Sequence, residues 1–148
     1  MKQGPPSLRP VLMIDDSDDD MCLLRRALMK AGVENPLISF EDSMEARRYL
    51  QAAVNPPNSE LIPCIVFTDL KMPCLSGIEL ISWARSVPLY DPVWFIILST
   101  SQHEGDQTTS RHAGADDYLI KFPPPEVLAS LISQANTHPR SSPARLKP

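Results

Sequence analysis

Short apolar runs alternate with amphipathic segments along this chain. Val11-Leu12-Met13-Ile14 is uninterrupted, and such a run reads as a strand buried on both faces of a parallel sheet. Ser17 is a good N-cap for the next segment, and Asp18–Asp20 suit the positive end of a helix dipole. That helix is expected to run to about Ala31 and stop at Gly32, a favoured C′ residue. Leu37–Phe40 reads as a short second strand. Asp42 with Glu45 suggests a capping box opening a helix through about Ala53.

Residues 55–60, with Pro56-Pro57, form a loop by composition. Cys64–Phe67 is a third strand that ends at Thr68-Asp69. Gly77 to Arg85 is helical, with Ile78, Ile81 and Trp83 as the expected apolar face. Val93–Leu98 is the most apolar strand. A polar helix over Gly105–His112 and a strand at Tyr118–Ile120 follow. The last helix starts near Pro124 and places Val127, Leu128, Leu131 and Ile132 at core spacing. The alternation is (βα)5: a doubly wound, five-stranded parallel sheet with helices on both faces.

A chain of 148 residues has room for one such domain and no second. Residues 9–136 carry the pattern. Residues 1–8 are expected to be a flexible N-terminus, and 137–148, rich in Pro, Ser, Arg and Lys, a disordered tail. The net charge of −4 argues against non-specific nucleic-acid binding. No apolar stretch is long enough to span a bilayer, and residues 1–10 lack the apolar core of a signal peptide. The three cysteines, Cys22, Cys64 and Cys74, are odd in number and lack metal-ligand spacing. They read as reduced thiols of a cytoplasmic protein, with Cys64 in the core.

Open α/β sheets carry their ligands outside the C-terminal ends of the strands. The residues at those ends are Asp15 and Asp16, then Asp69, then Ser99 and Thr100, then Lys121. Paired carboxylates repel and need a cation or a proton. A divalent metal such as Mg2+ answers that need, and an acidic cluster with Mg2+ points to phosphoryl chemistry. Asp16-x-Asp18-x-Asp20 is not an EF-hand loop, because Met21 and Ala27 stand where glycine and glutamate belong. A haloacid-dehalogenase-like phosphatase would make Asp16 the nucleophile but leaves Asp69-x-x-Met-Pro unexplained. The run Asp18–Asp20 reads as a solvated helix start, and His103 and His112 as solvent-facing.

Four stretches carry a family resemblance: Val-Leu-Met-Ile-Asp15-Asp16, Asp69-Leu-Lys-Met-Pro73-x-x-x-Gly77, Ile-Ile-Leu-Ser99 and Tyr118-Leu-Ile-Lys121. In order and spacing the chain resembles a receiver domain of bacterial two-component response regulators. The resemblance implies a flavodoxin-like sheet of strand order 2-1-3-4-5. It implies that Asp69 accepts a phosphoryl group and that Asp16 ligates Mg2+ directly, with Asp15 acting through water. The backbone carbonyl of Lys71 is a further implied metal ligand. Ser99 is implied to contact a phosphoryl oxygen, Lys121 to pair with the phosphoryl group or with Asp69, and Tyr118 to be a rotameric switch. Ser99 is preferred over Thr100 because it lies 30 residues after Asp69 and 22 before Lys121. Thr100 then occupies the mouth of the site.

The implied partners are a sensor histidine kinase or phosphotransfer protein and a downstream protein target. A homodimer through the fourth helix, fifth strand and fifth helix is also implied. The expected activity is self-catalysed phosphorylation and dephosphorylation by a stand-alone regulator, not turnover of a substrate. The alternative is an interaction module that works without phosphorylation. In one departure from the family, Phe122 replaces the proline that normally follows the lysine across a cis bond. In another, the gap from Asp16 to Asp69 is long, which resembles receivers associated with bacteriophytochromes.

Overall fold

The structure, a computed structural model, describes residues 8–54 and 60–140. The elements are β1 (Val11–Ile14), α1 (Asp18–Lys30), β2 (Leu37–Phe40), α2 (Ser43–Val54), β3 (Ile65–Asp69), α3 (Gly77–Arg85), β4 (Trp94–Ser99), α4 (Glu104–Ala113), β5 (Asp117–Ile120) and α5 (Pro125–Thr137). A 3-10 turn, Pro88–Tyr90, precedes β4. The five strands are parallel in the order β2-β1-β3-β4-β5. This is the expected (βα)5 sheet. The chain runs from β1 outward to β2, then returns to β3 on the other side of β1. That reversal opens a crevice at the C-terminal ends of β1 and β3.

Side chains alternate across the sheet and build two cores. Leu12, Ile14, Val66, Phe95 and Ile97 pack against Ala46 and Leu50 of α2 and Leu80, Ile81 and Ala84 of α3. Val11, Met13, Ile65, Phe67, Ile96 and Leu98 pack on the opposite face against Leu24 and Leu28 of α1 and Leu128 and Ile132 of α5. Each fully buried large side chain contributes about 1.5–3 kcal/mol. β1 and β4 are buried on both faces, which is why they read as continuous apolar runs.

The helix ends follow their local chemistry. Ser17 Oγ accepts the Asp20 N–H at 3.2 Å, and Gly32 adopts a φ of 78° just past α1. Asp42 Oδ1 accepts the Met44 N–H at 2.8 Å at the start of α2. Ile81 of the expected α3 face is buried, joined by Leu80 and Ala84, whereas Ile78 and Trp83 are half-buried and pack at the edge of the same core. Gly77 sits directly on the Asp69 carbonyl, where a Cβ would not fit. Trp83 lies at the rim, under the Arg47 guanidinium at 5.1 Å. In α5, Val127 is exposed rather than in the core.

Order also extends past the expected boundary at residue 136. Trp94 Nε1 donates to the His138 carbonyl at 3.1 Å, and the Arg140 N–H donates to the Pro92 carbonyl at 3.0 Å. Asp116 draws this segment in, because its carboxylate pairs with both Arg85 and Arg140 and also accepts the Phe95 N–H. Three donors on one nearly buried carboxylate are worth more than a solvated tail. The flexible terminus expected over 1–7, the loop over 55–59 and the disordered tail over 141–148 lie outside the described residues.

Tyr90 is fully buried, and its hydroxyl donates to the Leu50 carbonyl of α2. Burial pushes its pKa far above the ordinary tyrosine value. Tyr90→Phe is therefore expected to cost about 1–2 kcal/mol, the loss of one buried hydrogen bond. Urea unfolding measures this, and an unchanged midpoint would show that the hydroxyl does not brace α2.

Candidate functional site

The C-terminal edge of the sheet collects the residues picked out at the strand ends. Asp15 and Asp16 follow β1, Asp69 ends β3, Ser99 ends β4 and Lys121 follows β5. The Lys121 N–H donates to the Ser99 carbonyl at 2.9 Å, which zips the end of β5 to the end of β4. The Lys121–Phe122 peptide is cis. With Phe122 after it, the Lys121 side chain lies inside the site, among Asp15, Asp20 and Asp69. The Phe122 ring itself is 44% exposed.

Lys121 is the centre of charge. Its Nζ lies 2.7 Å from Asp15 Oδ2, 2.7 Å from Asp20 Oδ2 and 3.2 Å from Asp69 Oδ1. Its side chain is only 4% exposed. Burial works against its charge, but the bonds to Asp15 and Asp20 and the charges of Asp69 and Asp15 outweigh it. They hold its pKa above the ordinary lysine value. Asp69 moves the other way from a simple ion pair. Burial, and then the Asp15 charge beside it, raise its pKa more than Lys121 and the Leu70 N–H lower it. Four carboxylates, Asp15, Asp16, Asp20 and Asp69, gather around one ammonium, so the site is short of positive charge.

A metal fits that deficit. Asp15, Asp16 and Asp69 each offer a carboxylate oxygen, and these oxygens lie within 4.8 Å of one another. The oxygens of an octahedral Mg2+ shell lie up to about 4.2 Å apart, given bonds of about 2.1 Å, so a small adjustment closes the cluster. Asp15 is buried and already engaged, accepting from the Ser17 N–H at 2.9 Å and from Lys121. Asp16 is exposed and open to a ligand. Lys71 lies two residues past Asp69, with an exposed side chain.

The hydroxyl residues form a second link. Ser99 is buried, and its Oγ accepts the Ser101 N–H at 3.0 Å. Tyr118, also buried, donates its hydroxyl to the Ser101 carbonyl at 2.8 Å. Thr100 is exposed at the mouth. Ser101 Oγ donates to Asp106 Oδ2 of α4 at 2.6 Å.

Sequence reasoning missed Ser101 and Asp20. Ser101 acts through its backbone, which no residue-type motif reports. Asp20 was read as part of a solvated helix start. Its signal was positional: it is the third residue of α1, behind an N-cap serine, and faces back toward the strand end.

Comparison with known proteins follows the same lines. The sequence model of the response regulator receiver domain matches residues 11–133. The transcriptional regulatory protein PrrA of Mycobacterium bovis is 34% identical over 134 residues, which cover 90% of this chain and 51% of PrrA. This chain thus spans about half the length of PrrA and of its counterparts in two other mycobacteria. The response regulator Rcp1 of Synechocystis is 27% identical over 120 residues, 81% of this chain and 80% of Rcp1. Among solved structures, the bacteriophytochrome response regulator AtBRR superposes with a TM-score of 0.72 at 26% identity, covering 92% of this chain and 97% of AtBRR. Among the described residues, no helix is long and apolar enough to cross a membrane. Fold, strand-end chemistry and relatives agree, and this chain belongs to the response regulator receiver domain family of two-component signalling.

Proposed function

We propose that this domain accepts a phosphoryl group on Asp69 from a histidine kinase or phosphotransfer protein and passes the change to a downstream protein partner. The observation that carries the reading is the placement of Asp69. It lies at the crevice between a cluster of carboxylates and a buried ammonium 3.2 Å away. An Asp69 oxygen forms the new bond to phosphorus while the bond from phosphorus to the donor's leaving atom breaks. The leaving atom takes the electron pair, and Lys121 stays protonated beside the charge that builds on the phosphoryl oxygens. Asp16, Asp69 and the Lys71 carbonyl would hold Mg2+ directly, with Asp15 behind a water. Bound Mg2+ supplies positive charge to the same oxygens.

The readout rests on Ser99 and Tyr118. The Ser99 hydroxyl turns to donate to a phosphoryl oxygen. The Ser101 backbone, held by Ser99 on one side and Tyr118 on the other, carries that motion toward α4. Ile120, Phe122 and Val127, each at least 37% exposed, offer apolar area on the neighbouring α4–β5–α5 side for a partner.

Acetyl phosphate with Mg2+ is expected to add one phosphoryl group, mapped by peptide mass spectrometry to the segment containing Asp69, and to add none in a chelator. Labelling at another residue, or labelling that ignores the chelator, would overturn the proposal.

A further inference from the structure

The three carboxylates around Lys121 have different fates. Asp15 and Asp69 belong to the cluster that suits a metal, and Asp69 is the group proposed to be esterified. Asp20 belongs to neither. We infer that Asp20 is a positioning residue that holds the Lys121 ammonium toward α1 and competes with the phosphoryl group for it. This rests on the phosphorylation reading above.

The distances favour that competition. Lys121 Nζ is 2.7 Å from Asp20 and 3.2 Å from Asp69, so it already leans to the α1 side. Asp20 is not a loose surface acid. Its N–H is tied to Ser17 Oγ at 3.2 Å, and its side chain is 29% exposed. An ammonium has three protons to donate; Asp15 and Asp20 each accept one, and Asp69 stands 3.2 Å away as an ion-pair partner. A phosphoryl group on Asp69 demands more of Lys121 than the carboxylate did. Asp15 belongs to the acidic cluster that would face the metal, whereas Asp20 lies outside it and keeps the ammonium as its partner. The Asp20 charge, 2.7 Å from the ammonium, remains a strong rival for it. The reach of Lys121 toward the phosphoryl group is then set by how tightly Asp20 holds it.

Asp20→Asn keeps the shape and removes the charge. The probe is beryllofluoride with Mg2+, a mimic of the phosphoryl group, titrated and followed by amide NMR shifts. Asp20→Asn is expected to bind it on the order of tenfold more tightly than wild type, because a charged acceptor becomes a weaker neutral one. In a Lys121→Met background the same substitution should change nothing, since Asp20 acts through the ammonium. In chelator, without metal or probe, the Lys121 ammonium nitrogen signal should shift in Asp20→Asn; a merely structural role would leave it in place. Asp20→Ser, also at home in a first helical turn, is the second variant and should behave alike.

Unchanged or weaker binding in Asp20→Asn overturns the role of Asp20. So does equal tightening without Lys121, which would mark a general charge effect, and so does an unmoved ammonium signal. A wild type that binds no beryllofluoride overturns the phosphorylation reading itself and this inference with it.

Discussion

Asp69→Asn is expected to abolish phosphoryl acceptance and, in the absence of metal, to make the protein more stable. The first effect follows from chemistry: an amide is no nucleophile toward phosphorus, and no acyl phosphate can form. The second follows from the environment of the carboxylate. The Asp69 side chain is 16% exposed, and burial followed by the Asp15 charge raises its pKa. A carboxyl whose pKa is raised on folding binds its proton more tightly in the folded state. Stability therefore falls as pH rises from the ordinary aspartate range through the raised value, and the loss is complete above it. Wild type carries that penalty at neutral pH and the asparagine variant does not. Lys121 keeps Asp15 and Asp20 in the variant, so no ammonium is left unpaired.

The expected gain is about 0.5–2 kcal/mol at pH 7, the usual yield of removing strain from a functional site. It should vanish in acid, where Asp69 is protonated folded or unfolded. Urea unfolding in chelator at pH 7 and near pH 3 reads both arms. A variant less stable than wild type at pH 7 would reverse the sign, and one that still labels with acetyl phosphate would move the acceptor elsewhere.

Gly77→Ala should damage both the fold and the site. A Cβ at Gly77 would lie 2.2 Å from the Asp69 carbonyl oxygen and 3.1 Å from Ile97 Cδ1. The first contact is with backbone, so no rotamer change relieves it. The Gly77 N–H also donates to the Leu70 carbonyl at 2.9 Å, which ties the start of α3 to the residue after Asp69. Either α3 or Asp69 must move. The overpacking is expected to cost about 1–3 kcal/mol. A shift of about 1 Å at Asp69 is expected to slow phosphorylation about 100-fold. Gly32→Ala is the control: nothing lies within 4 Å of its Cβ, and only its φ of 78° is unfavourable. It should lose about 1 kcal/mol and phosphorylate at the wild-type rate. A Gly77→Ala protein as stable and as fast as wild type would show that α3 yields freely.

Much of this fold was legible residue by residue. Val11–Ile14 and Trp94–Ser99 are apolar because both faces of those strands are covered, and that burial shows in composition alone. Ser17 and Gly32 mark helix ends through bonds and dihedrals within a few residues. The expected face of α3 held at Ile81 but passed over Leu80 and Ala84, which with Gly77 and Ile81 are buried at i, i+3, i+4 and i+7, while Ile78 and Trp83 flank them, partly buried on the same core. The segment past residue 136 read as a tail because its anchors, Asp116 and Trp94, lie far back in the chain.

The sequence by itself determined which elements form and in what order. It also determined that Asp15, Asp16, Asp69, Ser99 and Lys121 stand at strand ends, because strand periodicity and turn chemistry act over a few neighbouring residues. The tertiary structure alone decided how those groups share charge. It brought Asp20 within 2.7 Å of a lysine 101 residues away and made the Ser101 backbone the link between Ser99 and Tyr118. Ion pairing and burial depend on distance through space, and in a doubly wound sheet that distance is set by strand order rather than by position in the chain.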